Sequence, residues 1–398
     1  MKEAPALLGD AHNFGRRVAR RDGRIVKPRT VFWEWLVLGA TSPLRRALDG
    51  AAEREGHDAH MFSFLPRLTF HGAKARAGGD VDEVRLLPLP RLSNDGRRQL
   101  ASVVGRSLAL FSWLGVSDLH WENLVLGVGP RGQIVFAPLD VEMILADLSL
   151  PTETKLLPDP DPEYAAICRH AAGVRRVLPY LGKPVRVDDL LAMASAYHVT
   201  LAFLDRHARV IADTLAHISA LREAPIRVCL RGTGDYVRAR TEPVWPPLLE
   251  AESEQLARGD IPYFFRLYGR PGILSYADRS LRQVMRLPQR GDVPRLEGLL
   301  QVSRGLRSPA RNRLREEGLF TVLGAFDHPS FSGEHRTKEL SVTFGARTLT
   351  LRFANGEELR ARRNLRAFVS SVYLPCRCGE VRSVFVPQVT RCEALGGS

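Results

Sequence analysis

Seven consecutive residues, Ser117-Asp118-Leu119-His120-Trp121-Glu122-Asn123, bring acid, base and metal-ligand side chains together directly behind an apolar stretch. Four residues separate Asp118 from Asn123, so a loop turning through that span can aim both side chains into one cavity. There a carboxylate can serve an attacking hydroxyl while an amide oxygen holds a cation between phosphates. Asp140 ends the apolar run that begins at Ile134, and Glu142 lies two residues further on. If the strand continues, both carboxylates face one side, an oxygen-rich set suited to Mg²⁺. Upstream, Lys27 closes a strand and offers the compact charge that matches phosphate oxygens. Each signal is weak alone, because Asp-x4-Asn also occurs in solvated loops and a lysine before a proline is usually a surface residue.

Those side chains need elements to hold them. Leu100, Val103, Val104, Leu108, Phe111 and Leu114 recur at helical intervals, which predicts a helix over 97–114 that buries one face, stops at Gly115 and delivers Asp118. Leu124 to Leu126 and Ile134 to Ala137, joined through Gly127 and Gly132, read as a hairpin. Arg16 to Ala19 and Arg24 to Lys27 flank Asp22-Gly23 and read as another, which sets Lys27 in place. A helix over 30–38 follows, whose Glu34 either pairs with Lys27 or faces solvent. Residues 54–96 read as loops around short strands at 61–65 and 84–89, and 151–163, with four prolines and four acids, as a linker or flap. Helices are predicted over 163–180 and 187–221. His198, His207 and His217 on the second are not at metal-binding spacing. Ile226 to Tyr236 reads as a short strand and glycine turn carrying Arg227 and Thr233, and 247–258 as a helix. A guanidinium beside a hydroxyl suits phosphate.

At 398 residues the chain can bury a sizeable core in one large domain with an accessory module. Apolar residues at 44% and charged residues at 25% exclude a disordered or fibrous chain. The net charge of +13, carried mostly by arginine, favours anionic partners. The arginine clusters, such as Arg16-Arg17 and Arg175-Arg176, are scattered as on a solvated face, and nucleic acid is not expected as a partner for want of a reading module. No run approaches the roughly 18 to 20 apolar residues of a membrane span, and the N-terminus lacks a signal pattern, so a cytoplasmic protein without membrane contact is expected. Cys168, Cys229, Cys376, Cys378 and Cys392 form no even framework and match no zinc spacing, so reduced thiols without a structural metal are expected.

The order of Lys27, Asp118, Asn123 and Asp140 follows the protein-kinase pattern. Gly9-Asp-x-His-Asn13, Lys27-Pro-Arg29, Ser117-Asp-Leu-His-Trp-Glu-Asn123, Leu139-Asp-Val-Glu142, Arg227-x5-Thr233-x2-Tyr236 and Glu250-x-Glu-x7-Gly259-Asp-Ile-Pro-Tyr-Phe264 occur in this order along the chain. Together they resemble the dehydratase domain of class II lanthipeptide synthetases, over roughly three quarters of the sequence. The resemblance implies an α+β fold with a kinase-like, bilobal catalytic domain over 1–309, followed by a small β-rich region over 310–398. It implies ATP and Mg²⁺ as cofactors, and a ribosomally made precursor peptide with its leader as partner. Two reactions are implied in one cavity: phosphorylation of Ser or Thr, then phosphate elimination to dehydroalanine or dehydrobutyrine.

Carried over position by position, Lys27, Asp118, His120, Asn123 and Asp140, with Glu142 beside them, serve phosphorylation. Asn123 and Asp140 are the implied metal ligands. Arg227 and Thr233 match the elimination pair, and Asp10 and His12 a further active-site pair. Members of the family carry a long region before the Gly-Asp-x-His-Asn motif and a C-terminal zinc cyclase, neither of which is recognisable here. A stand-alone dehydratase is therefore expected, any cyclase being a separate partner. Phe14 stands where the family commonly has glycine. Residues 310–398 fall outside the resemblance, and alternation over 339–344, 347–353 and 357–361, with a turn at Asn355-Gly356, predicts a β-meander. A kinase that stops at the phosphorylated product, and a binder without catalysis, are the competing expectations. Retention of Lys27, Asp118, Asn123 and Asp140 argues against the binder.

Overall fold

The computed structural model describes residues 6–56, 61–72, 78–146, 148, 150–158, 172–244, 247–270, 272–287, 310–363 and 389–392. Among the described residues the architecture is α+β, with nine helices and four antiparallel sheets. The first sheet, in the order β1-β2-β3-β5-β4, is formed by β1 (Ala6–His12), β2 (Arg16–Arg21), β3 (Arg24–Thr30), β4 (Phe70–His71) and β5 (Gly78–Asp82). The β2–β3 turn has positive φ at both Asp22 (50°) and Gly23 (73°), the geometry for which an Asp-Gly pair is selected. Residues 61–65, expected as a strand, form buried turns instead, and the strands of that region are β4 and β5.

Helix α1 (Phe32–Leu38) follows β3 at once and buries Phe32, Trp33 and Leu36. Helix α2 (Pro43–Arg54) starts with proline in its first turn behind a Ser42 cap. Helix α3 (Asn94–Trp113) is capped by Ser93 and ends before Gly115, as its pattern predicts. Beyond the loop at 117–123, β6 (Leu124–Val128) and β7 (Ile134–Pro138) form the expected hairpin. Of the helix expected over 163–180, residues 163–171 lie outside the described residues, and its end is a short helix, α4 (Leu178–Leu181).

The single helix expected over 187–221 is two, α5 (Val187–Arg206) and α6 (Ala208–Ala216), with His207 at the break. A Cβ on Gly105 of α3 would meet the Met193 carbonyl of α5 at 2.1 Å, so glycine is what lets the two helices pack this closely. α5 also corrects the expectation about apolar runs. It is 20 residues long with a mean hydropathy of 1.2 over an 18-residue window, enough by composition to cross a membrane, yet it packs as a core helix against α3.

The second sheet, ordered β11-β10-β9-β8, comprises β8 (Pro225–Val228), β9 (Phe264–Leu267), β10 (Leu274–Tyr276) and β11 (Val284–Arg286). Helices α7 (Thr233–Arg238) and α8 (Glu250–Ala257) lie between β8 and β9, so Thr233 opens a helix and is not part of a turn. After β11, residues 288–309 lie outside the described residues. Helix α9 (Ala310–Ala325) then leads into the C-terminal sheet of β12 (Gly333–Arg336), β13 (Leu340–Phe344), β14 (Thr348–Phe353), β15 (Glu358–Arg362) and β16 (Val389–Cys392). β13 to β15 are the predicted meander, with Leu340, Val342 and Phe344 turned inward.

Leu314 and Phe320 of α9 and Leu349 and Leu351 of β14 belong to the same apolar cluster as Phe32, Phe111 and Tyr197. Tyr197 donates its hydroxyl to the Leu314 carbonyl at 2.8 Å. Among the cysteines, Cys229 is a free thiol, Cys392 lies in β16, and Cys168, Cys376 and Cys378 lie outside the described residues.

Candidate functional site

Six charges alternate in sign along one line where β3, α1, the segment after β7 and β8 meet: Glu34, Lys27, Asp140, Arg29, Glu142 and Arg227. Lys27 Nζ lies 2.7 Å from Glu34 Oε1 and 3.5 Å from Asp140 Oδ1. Arg29 donates to Asp140 Oδ2 and approaches Glu142 Oε1 at 2.5 Å. Glu142 Oε1 in turn is 3.5 Å from Arg227 Nη1, and the Arg227 backbone N–H donates to the Glu142 carbonyl at 2.9 Å. Glu34 therefore pairs with Lys27 and does not face solvent. Asp140 and Glu142 both meet Arg29, but β7 has already ended at Pro138, so it is not strand alternation that brings them to one side.

Burial by itself lowers the pKa of Lys27, but Asp140 and Glu34 outweigh it and raise it. Burial raises Glu34 against the pull of Lys27. Asp140, half-buried, is held well below the carboxylate range by Arg29 and Lys27 against the effect of desolvation. Glu142 is pushed up to about 7 by burial, against the opposing pull of Arg29.

The 117–123 loop stands beside this line. Asp118 has a φ of 66°, left-handed backbone that non-glycine residues enter only at some cost. Its Oδ1 takes the Lys155 ammonium at 2.9 Å, and Lys155 is itself left-handed with a φ of 65°. Residues 151–155 are thus no free flap. Leu119 N–H donates to the Thr154 carbonyl and Ser117 Oγ to the Glu153 carbonyl, which fastens the 3₁₀ turn Pro151–Thr154 to the loop. Asn123 Nδ2 donates to the Asp118 carbonyl at 2.9 Å, and Leu139 N–H donates to the Asn123 carbonyl at 2.7 Å. Asp118, Asn123 and the start of the Asp140 segment are therefore tied together through backbone. His120 is half-buried near Glu122, at 4.0 Å.

On the far side of Arg227 lies His12, at the end of β1. Its Nδ1 bonds the Ile261 carbonyl at 2.8 Å, so Nδ1 carries the proton and Nε2 keeps a lone pair. Burial, then the Arg227 charge, lower its pKa to about 4. Asp10 is exposed on the same strand. Arg227 Cζ stands 5.5 Å over the Tyr263 ring. Thr233 is exposed at the first position of α7, while the Arg227 guanidinium turns toward Glu142.

The β1–β2 turn has three consecutive left-handed residues, Asn13, Phe14 and Gly15. Its Phe14 and Gly15 N–H groups both donate to the fully buried Asp260, at 2.8 and 2.7 Å, so these amides serve a carboxylate of the chain itself. Phe14 lies under the Arg258 guanidinium at 4.3 Å. Glu252, also fully buried, receives Arg231 and Tyr236 at 2.8 Å each. Lys155 has no counterpart in the sequence motifs, whereas Arg29, Glu252 and Asp260 stand inside them without an assigned role. Arg29 alone had a local signal, since residues two apart on a strand share a face and Lys27 was already singled out.

For a divalent cation the donors present are Asp140, Glu142 and Asn123, and among the described residues no cluster of three His, Cys, Asp or Glu side chains surrounds a common point. Asp140 Oδ1 and Glu142 Oε2 are nevertheless buried without a hydrogen bond, open acceptors of the hard oxygen type that Mg²⁺ prefers. The donor set fits such a cation once other oxygens complete it. A cleft of about 960 Å³ between α2 and β6–β7, lined by Arg45, Asp49, Arg67 and Arg131, contains none of the six charges. No protein-family model matches this chain, and no curated protein matches it.

Proposed function

We propose that the chain is a kinase-like, bilobal phosphotransferase that phosphorylates Ser or Thr of a precursor peptide and then eliminates the phosphate, with ATP and Mg²⁺ as cofactors. The observation that carries the reading is Lys27 held between Glu34 and Asp140, with Asp118 and Asn123 delivered beside them. In this reading Asp118 accepts the proton of the peptide hydroxyl as its oxygen bonds the γ-phosphorus and the bond to the β-phosphate oxygen breaks. Lys155 keeps the Asp118 carboxylate aimed, and Lys27 grips the nucleotide phosphates. Asn123, Asp140 and Glu142 would hold Mg²⁺, which neutralises charge on those phosphates. Elimination removes the Cα proton, breaks the Cβ–O bond and leaves a carbon–carbon double bond. In this reading Arg227 leaves Glu142 to take the departing phosphate, and His12, neutral at pH 7, takes the proton through Nε2. A cytoplasmic enzyme that reads a leader peptide and hands its product to a separate cyclase follows from the same proposal.

One observation favours a second reading, a kinase without elimination: Thr233 is exposed while Arg227 is engaged by Glu142. Mass spectrometry with the precursor peptide, ATP and Mg²⁺ tests both. Wild type should show loss of water, and Arg227→Ala should leave phosphate attached, because a lost oxyanion-type contact costs about 3 to 4 kcal/mol. Asp118→Ala should give neither product, and Lys155→Met should slow phosphorylation without changing nucleotide affinity. Phosphopeptide as the end product of wild type would select the second reading, and no phosphorylation at all would refute both.

A further inference from the structure

Arg29 dominates the line of charges, and the chemistry proposed above gives it no task. Its side chain is only 11% exposed, and it engages one oxygen of Asp140 and one of Glu142, the same two carboxylates a divalent cation would need. The second oxygen of each carboxylate and Arg29 Nε itself are buried without a hydrogen-bond partner. Unsatisfied buried polar atoms are rare in folded proteins. Two acceptors, one of them 3.5 Å from the Lys27 ammonium, and a donor lack hydrogen bonds around the two contacts of Arg29, as in a site closed on a stand-in.

We propose that Arg29 is the resident counter-cation of Asp140 and Glu142, and that it excludes free divalent metal. Metal then enters only as its nucleotide complex, whose phosphates receive the displaced guanidinium. The proposal rests on the nucleotide-binding reading given above and names the ligand form that the site accepts.

Charge balance supports it. With every group ionised, Glu34, Asp140 and Glu142 balance Lys27, Arg29 and Arg227, so the line is neutral in formal charge. A bare divalent cation would add uncompensated positive charge to a buried space, where such charge is poorly tolerated. A metal–nucleotide complex is a net anion. It brings the metal to the carboxylates and offers the released guanidinium the planar, two-point partner that phosphate provides. Arg29 and Lys27 already share Asp140, so the displaced group has its phosphate-gripping neighbour on the same carboxylate.

The test titrates Mn²⁺ into the full chain, alone and with a non-hydrolysable ATP analogue, following free Mn²⁺ by electron paramagnetic resonance. Wild type should bind Mn²⁺ weakly alone and tightly with the analogue. Arg29→Met should bind Mn²⁺ alone at least tenfold more tightly than wild type, and Mn²⁺ with the analogue at least fivefold less tightly. Arg29→Lys, which keeps a cation but offers one point in place of a fork, should show a smaller gain for Mn²⁺ alone, and it decides the matter if the methionine variant does not fold. Unchanged or weaker binding of free Mn²⁺ by the folded variants, with nucleotide-dependent binding intact in wild type, would overturn the Arg29 proposal alone. Absence of nucleotide-dependent binding in wild type would overturn the kinase-like reading and this proposal with it.

Discussion

Replacing Lys27 by methionine keeps the length of the side chain and removes its charge, leaving Glu34 as a carboxylate only 2% exposed and without its 2.7 Å partner. Removing one member of a buried ion pair costs about 3 to 5 kcal/mol, because the remaining charge is uncompensated. Glu34 has one escape, protonation. Burial already raises its pKa, with Lys27 the main opposing influence, so in Lys27→Met the pKa rises further. The folded variant then holds a proton that the unfolded chain releases near a pH of about 4.5. Its stability relative to wild type must therefore fall as pH rises above that value. Urea unfolding of wild type, Lys27→Met and Lys27→Met/Glu34→Leu at about pH 5.5 and about pH 8 measures this. The single variant should lose about 3 to 5 kcal/mol at the higher pH and clearly less at the lower, and the double variant should return to within about 1 kcal/mol of wild type. A single-variant loss below about 1 kcal/mol at the higher pH, or one indifferent to pH, would refute the buried pair.

Two further predictions test the surroundings of the site. His12 titrates near 4 in the fold against 6.5 ordinarily, so the unfolded chain binds the proton more readily in that window. Wild type should lose up to about 3 kcal/mol as pH falls through it, and His12→Gln should flatten that limb in denaturant titrations; an unchanged slope counts against a buried neutral imidazole. Asp260→Ala leaves two N–H groups of the β1–β2 turn unpaired and should cost about 2 to 4 kcal/mol, with Asp260→Asn recovering part of it. Hydrogen exchange at Phe14 and Gly15 should quicken in the alanine variant, and protection equal to wild type would show that the carboxylate does not hold the turn.

What the sequence revealed is what repeats locally. The apolar spacing of α3, the Asp22-Gly23 turn and the alternation of β13 to β15 each repeat within a few residues, so their elements were legible. The run Met61-Phe62-Ser63-Phe64-Leu65 is as apolar as a strand and as buried, yet it forms turns, because a short apolar run reports burial without fixing geometry. The break at His207 was hidden because Ile211 and Leu215 continue the apolar rhythm of α5 into α6. Lys155 carried no signal, and Asp260 stood in a motif without a role, since their partners lie 37 and more than 240 positions away and ion pairs across such separations leave no periodic trace. The candidate site was legible where its residues cluster, at 117–123 and 140–142, and illegible where distant segments close on it.

The shared core of α5 and α9 bears on time. Tyr197 finds its carbonyl partner in Leu314, and a Cβ on Gly318 of α9 would stand 2.5 Å from the Tyr197 hydroxyl oxygen, so α9 lies tight against α5. More than one hundred residues separate the end of α5 at Arg206 from the start of α9 at Ala310. At a synthesis rate of about 5 to 20 residues per second, α5 waits on the order of 5 to 20 seconds on the ribosome for the helix that covers it. During that wait the segment closest in composition to a membrane helix is only partly covered. The nascent chain is then most exposed to aggregation and most in need of a chaperone, and folding of the core must wait until α9 has been made.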